Sequence, residues 1–240
     1  MRIEDIEYTV DGSRMIGHLA VDDERSGTRP GVLVCHEGPG LDVNAKDRAE
    51  RLADLGYAAF ALDYHGEGKP VPTDEMMARL GPLMSQPDKI RALGRAGLDV
   101  LLAQKEVDRA KVAAIGFCFG GTMALELARD GADLGAVVGF HSGLGTASPA
   151  KAGDVKAAIL VCIGADDPMV PAEQRVAFEQ EMTAAEVDWR INVYGGAVHS
   201  FTNPNAEMMG LPGVGYHQPT DERSWRAMLD FFDEQFGPVS

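Results

Sequence analysis

A chain of 240 residues, 45 % hydrophobic and 25 % charged, is long enough for one α/β domain, and no Pro/Gly/Ser-rich linker divides it. Its net charge of −15 argues against nucleic acid or an anionic membrane as a partner, and no apolar run approaches the ~20 residues of a membrane span. Met1 to Asp5 have no signal-peptide character and only three cysteines are present, so the expectation is a cytoplasmic protein with reduced thiols.

In chain order, the pattern predicts strands near 3–9 and 14–21, joined by a turn at Asp11, Gly12 and Ser13 into an antiparallel hairpin. A buried-strand run over 31–36 holds Cys35 and runs into His36, Glu37, Gly38, Pro39 and Gly40. A helix over 44–55 and a strand over 57–63 follow, then a turn containing Tyr64 and His65. Helical spacing marks 73–84 and 88–105; Met76, Met77 and Met84 on the first make it either plain core or a pocket wall. Strands near 111–116, 134–140, 157–163 and 188–194 alternate with helices near 120–129, 172–185 and 220–236. Such alternation demands a mostly parallel sheet of about eight strands with helices on both faces, the α/β-hydrolase plan. The stretch 203–218 is long for a bare connection and suggests a lid or pocket wall.

Chemistry concentrates at strand ends. Gly116-Phe117-Cys118-Phe119-Gly120-Gly121 lies between the apolar run ending at Ile115 and a helix beginning near Thr122. A Cys with Gly two residues before and after it, at a strand-to-helix junction, is the layout of a nucleophile elbow. The sharp turn brings neighbouring backbone too close for side chains at those two positions, and the helix N-terminus favours a thiolate and then an oxyanion. Downstream, Gly164-Ala165-Asp166-Asp167-Pro168-Met169-Val170-Pro171 follows one strand and Ala197-Val198-His199-Ser200 follows another, so acid and His come in the required order. Cys118 is read as nucleophile, His199 as base and Asp167 as the carboxylate that orients it; Asp-x-x-Val-Pro starts at Asp167, which leaves Asp166 a solvated loop residue or cap. Oxyanion donors are expected from the N–H groups of Phe119 and Gly38, because Pro39 has none. Glu37 beside that hole would repel developing negative charge, so it either caps the loop or holds the thiol protonated until substrate arrives.

Taken together, Cys118 in GFCFGG, Asp167 in GADDPMVP, His199 in AVHSF and Glu37 after the third strand resemble the dienelactone hydrolases, or carboxymethylenebutenolidases, over essentially the whole chain. The resemblance implies attack by Cys on a lactone or enol-lactone carbonyl, with the matching Glu withholding the thiolate by swinging between two positions. It also implies an Arg four residues after the His to grip a substrate carboxylate, but here that position is Asn203. Asn makes no charge-assisted bidentate contact with carboxylate, and Arg79 or Arg91 would have to reach in instead.

Tyr64 and His65, His141 and Ser142, and Asn203 lie at strand ends that flank the cleft, where a turn role and substrate contact are both open; Tyr216 and His217 could close it. Cys35 and Cys162 read as packed strand residues. No HExxH, CxxC, GxGxxG or GxxxxGK[ST] spacing occurs, so neither a metal nor a nucleotide cofactor is expected. The reading is a hydrolase of a small ester or lactone through a thioester; acyl transfer, and a catalytically silent thiol sensor on the same fold, are the alternatives.

Overall fold

The computed structural model describes residues 1–239. β1 (Arg2–Val10) and β2 (Ser13–Val21) pair antiparallel through a two-residue turn in which Asp11 and Gly12 both have positive φ, 48° and 77°. That turn twists with the strands, and Gly at its second position carries no Cβ penalty. The remaining strands are β3 (Arg29–Cys35), β4 (Ala58–Ala61), β5 (Val107–Phe117), β6 (Ala136–Phe140), β7 (Ala158–Gly164) and β8 (Trp189–Tyr194). They form one sheet in the order β1-β2-β4-β3-β5-β6-β7-β8, with every pair from β4 to β8 parallel.

Among the described residues, six α-helices cover the sheet: α1 (Val43–Asp54), α2 (Thr73–Met84), α3 (Pro87–Leu102), α4 (Phe119–Arg129), α5 (Ala172–Ala184) and α6 (Gln218–Phe236). Helices α1 and α6 bury Ala49, Leu52, Trp225, Phe231 and Phe232 against one face. The others bury residues such as Leu80, Leu98, Met123, Leu127 and Phe178 against the opposite face. β3 and β7 are buried along their whole length, as strands covered on both sides must be, and apart from Arg29 at the start of β3 read as apolar runs. No described helix is long and apolar enough to cross a membrane.

Some boundaries differ from the sequence expectation. β4 stops at Ala61, because Asp63 leaves the sheet, its carboxylate accepting the N–H groups of Ile16, His65, Gly66 and Gly68. β5 begins at Val107, four residues early, with a register shift opposite Pro30 and Gly31 that the polar stretch Asp108 to Lys111 conceals. The 203–218 connection is not structureless, since Ala206–Met209 makes one 3₁₀ turn.

The chain leaves β3 toward β4 on one side and returns to β5 on the other. Adjacent strand ends that diverge in this way open a cleft between β3 and β5, where ligands of parallel sheets bind. The loop after β3 and the turn after β5 both stand at that cleft.

Candidate active site

The turn after β5 is as tight as the glycine spacing requires. A Cβ on Gly116 would lie 2.1 Å from the carbonyl oxygen of Gly120, and one on Gly120 would lie 2.2 Å from that of Cys35. Cys118 itself has φ 52°, uncommon for a non-glycine residue, and stands as N-cap of α4, half-buried. Its backbone N–H is shared between the Phe140 carbonyl (3.0 Å) and Nδ1 of His141 (3.1 Å), which ties the elbow to the end of β6. The N–H of Phe119 falls in the first helical turn, where the helix itself supplies no acceptor.

His199 follows β8 on a segment whose backbone pairs with Gly213 and Gly215 of the long late loop. Its Nδ1–H donates to Oδ2 of Asp167 at 2.8 Å, and both residues are buried. The other Asp167 oxygen accepts the Met169 N–H, so the carboxylate is fixed at two points. Asp166 is exposed and takes no part in this pair. Nε2 of His199 is buried with no hydrogen-bond partner of its own. Burial opposes charge on this ring, but its interactions with Cys118 beside it and the Asp167 hydrogen bond outweigh that, pushing His199 up to about 10.

The loop after β3 is pinned by its own carbonyls. Glu37 O accepts from Tyr64 Oη (2.8 Å), His36 Nδ1 (2.7 Å) and the Gly40 N–H (3.1 Å), while Gly38 O accepts from His65 Nε2 (2.7 Å). Tyr64 stacks on His36 with ring centroids 3.7 Å apart. At Gly38 a Cβ would crowd Leu80 and Met76 at 3.0 Å, so glycine lets the loop approach α2 closely. The Glu37 carboxylate is turned to Asn203, whose Nδ2 donates to Oε2, and to the Ser200 hydroxyl; Oε1 is buried without a hydrogen bond, 3.8 Å from His141 Nε2. Burial raises its pKa against the help of those two donors. The described hydrogen bonds of Glu37 include none to Cys118.

Cys118, Phe119, Gly38, Glu37 and His199 share the wall of a cavity of about 300 Å³. Met76, Met77 and Met84 of α2 also line it, so that helix is a wall as well as core, and Met209, Leu211 and Val214 of the late loop form another side.

Tyr64, His141 and Asn203 are not among the residues lining this cavity. Tyr64 braces the Glu37 carbonyl, His141 lies beneath the elbow and Asn203 faces Glu37, and all three are buried. Tyr216 and His217 are likewise off the cavity, bonded to Asp221 and Thr220 at the start of α6. Arg79 bonds the His65 carbonyl and Glu75, and Arg91 pairs with Glu126; neither enters. Cys35 and Cys162 are buried, and burial pushes both thiols up, Cys162 to about 12. Among the described residues no cluster of three or more His, Cys, Asp or Glu could hold a metal ion.

Sequence reasoning missed the layer behind the elbow. His141 Nε2–H donates to Thr202 Oγ1 at 2.8 Å, and the Thr202 carbonyl accepts from the buried guanidinium of Arg48 at 2.6 Å, which pairs with Asp221 at 3.0 Å. The available signal was an Arg on the apolar stripe of α1, beside Ala45, Ala49 and Leu52.

Comparison with known proteins places the chain in a family. The model of the Dienelactone hydrolase family matches residues 16–236. The protein named usf from Aquifex pyrophilus is 28 % identical over 234 residues, covering 95 % of this chain and 97 % of the relative. A dienelactone hydrolase-like promiscuous phosphotriesterase from metagenomic libraries is 45 % identical, with a TM-score of 0.93 and coverage of 98 % of this chain and 99 % of that one. The dienelactone hydrolase of Anabaena variabilis, 20 % identical with a TM-score of 0.66 over 95 % of this chain and 97 % of its own, shares the fold. The chain belongs to the dienelactone hydrolase family, hydrolases built on the α/β-hydrolase fold.

Proposed function

We propose that the chain hydrolyses a small ester or lactone through a thioester on Cys118. The observation that carries this reading is the pairing of a buried His199, held by Asp167 at 2.8 Å with Nε2 left free, with Cys118 on one cavity wall. In the first step the Cys118 thiol passes its proton to His199 Nε2, the sulfur attacks the carbonyl carbon, and the oxyanion that forms is received by the N–H groups of Phe119 and Gly38. Each such donor is typically worth about 3–4 kcal/mol in the transition state. The C–O bond then breaks, and the leaving alkoxide takes the proton carried by His199 Nε2. In the second step the neutral imidazole removes a proton from water, hydroxide adds to the thioester carbon, and the C–S bond breaks to give the acid. Asp167 keeps the ring in the tautomer that presents Nε2 to both steps.

Glu37 acts on the thiol in this reading, and to do so its side chain must leave Asn203. With the carboxylate on Asn203 and Ser200, the sulfur is free to pair with His199, so this arrangement corresponds to the reactive form. A thiol-sensing protein would be modified stoichiometrically without turnover. An activated ester assayed with wild type and Cys118→Ala separates the two: turnover with an initial product burst, abolished in the variant, is expected of the hydrolase.

A second reading, attack on a phosphotriester, is favoured by one observation. The relative that is 45 % identical over almost the whole chain is described as a promiscuous phosphotriesterase. The same nucleophile and donors would serve a phosphoryl centre, and turnover of a neutral aryl phosphotriester by wild type but not by Cys118→Ala tests it.

A further inference from the structure

Resting on the hydrolase reading above, we propose that the substrates are neutral esters with an apolar acyl or aryl group, and that the cavity discriminates against carboxylate-bearing ones. The lining carries this. Met76, Met77, Met84, Met169 and Met209 all line it, with Leu80 beside them, and no Lys or Arg is among the described lining residues. Unbranched, polarizable methionine side chains adapt to varied apolar shapes and make favourable contacts with aromatic rings, but they offer an anion nothing.

Two polar side chains at the wall away from the reacting carbonyl bond to backbone. Thr122 Oγ1 donates to the Gly143 carbonyl at 2.9 Å, and Gln174 Oε1 accepts the Leu144 N–H at 2.7 Å. Glu37 adds an acid, and the Asn203 amide behind it is spent on that acid. The two nearby arginines are committed elsewhere, Arg79 to the His65 carbonyl and Glu75, Arg91 to Glu126 and the Ser148 carbonyl. With His199 and the Phe119 and Gly38 N–H groups committed to the reacting carbonyl, a carboxylate elsewhere in this cavity would lose its hydration without meeting a Lys or Arg, which is costly. The net charge of −15 does nothing to draw it in. An apolar chain of the same length loses only ordered water and gains methionine contacts.

The test uses two activated esters that differ only at the chain end, p-nitrophenyl valerate and the mono-p-nitrophenyl ester of glutaric acid, in which a carboxylate replaces the terminal methyl. Wild type should hydrolyse the valerate with a kcat/KM at least about tenfold higher, given the cost of desolvating an unpaired carboxylate. Met169→Arg, at a rim position 43 % exposed and so tolerant of change, should narrow that ratio by raising the rate with the glutarate ester. Equal use of the two esters by wild type, or preference for the glutarate, would overturn the charge inference while leaving the hydrolase reading intact. Failure to turn over either ester would remove the hydrolase reading and this inference with it.

Discussion

Nδ1 of His141 accepts the backbone N–H of Cys118 at 3.1 Å, so the ring that supports the elbow is neutral and carries its proton on Nε2. Burial holds this imidazole well below its ordinary pKa, and a charged His199 nearby adds to the effect. The ring packs edge-on against His199 with centroids 5.3 Å apart, and its Nε2–H is held by Thr202. We read His141 as a positioning residue that keeps Cys118 at its positive φ. His141→Asn can place an oxygen near the Nδ1 site and tolerates the φ of 41° found there, whereas His141→Gln places its amide near the Nε2 site. The Asn variant should stay within about threefold of wild-type kcat, while Gln loses about tenfold in kcat with KM little changed, the scale of one hydrogen bond. Equal losses in both variants, or a loss confined to KM, would contradict this role.

Asp167 and Asp166 should separate sharply. Asp167→Asn removes the acceptor that orients His199 and is expected to lower kcat at least about a hundredfold, whereas Asp166→Asn changes it less than about twofold. The pH profile carries a second sign. Wild-type activity should fall as pH rises through about 10, where His199 loses the proton destined for the leaving group. Because Asp167 helps raise that value, the alkaline limb of Asp167→Asn should move to lower pH. The same linkage makes the stability gained from the charged ring full below 6.5 and lost as pH rises through about 10. An alkaline limb that stays in place would show that Asp167 does not act through His199.

Glu37 is a buried acid whose folded pKa lies above its ordinary 4.5, so its charged form costs stability. The sign follows from linkage: wild-type stability falls as pH rises above about 4.5, and Glu37→Gln escapes that loss. The melting temperature of the Gln variant relative to wild type should therefore rise between about pH 4 and pH 8. A difference that does not vary with pH would contradict the burial of a titrating group here.

Asn203 holds the Glu37 carboxylate in the position found. Asn203→Ala should release it toward the sulfur, and iodoacetamide labelling of Cys118 near neutral pH should then slow, since the thiolate is the reacting species. An unchanged labelling rate would leave Glu37 with only the loop to shape.

Much of the fold is legible in the sequence because β3 after Arg29, the apolar part of β5 and β7 are covered on both faces and must be apolar. The elbow is legible because Gly116 and Gly120 are imposed by backbone contacts within a few residues and with β3. The pairing of Asp167 with His199 follows from loops at neighbouring strand ends, β7 beside β8. What the sequence hides depends on side-chain direction and distant partners. Tyr64, His141 and Asn203 occupy the strand-end loops expected of them, yet each points into the protein. At His141 a positive φ turns the ring beneath Cys118, and Thr202 and Arg48 reach it from segments far away in sequence. The early start of β5 is hidden for a related reason. Asp108 pairs with Pro30, and the register then shifts across Arg109 to Lys111 before pairing resumes at Val112, so periodicity fails.

The most direct measurement is the intact mass of enzyme quenched in acid during turnover of p-nitrophenyl valerate, followed by peptide mapping. A thioester mechanism predicts a transient valeryl adduct on Cys118 that hydroxylamine removes, together with the absence of adduct and of turnover in Cys118→Ala. Undiminished hydrolysis by Cys118→Ala, or an adduct confined to another residue, would contradict it.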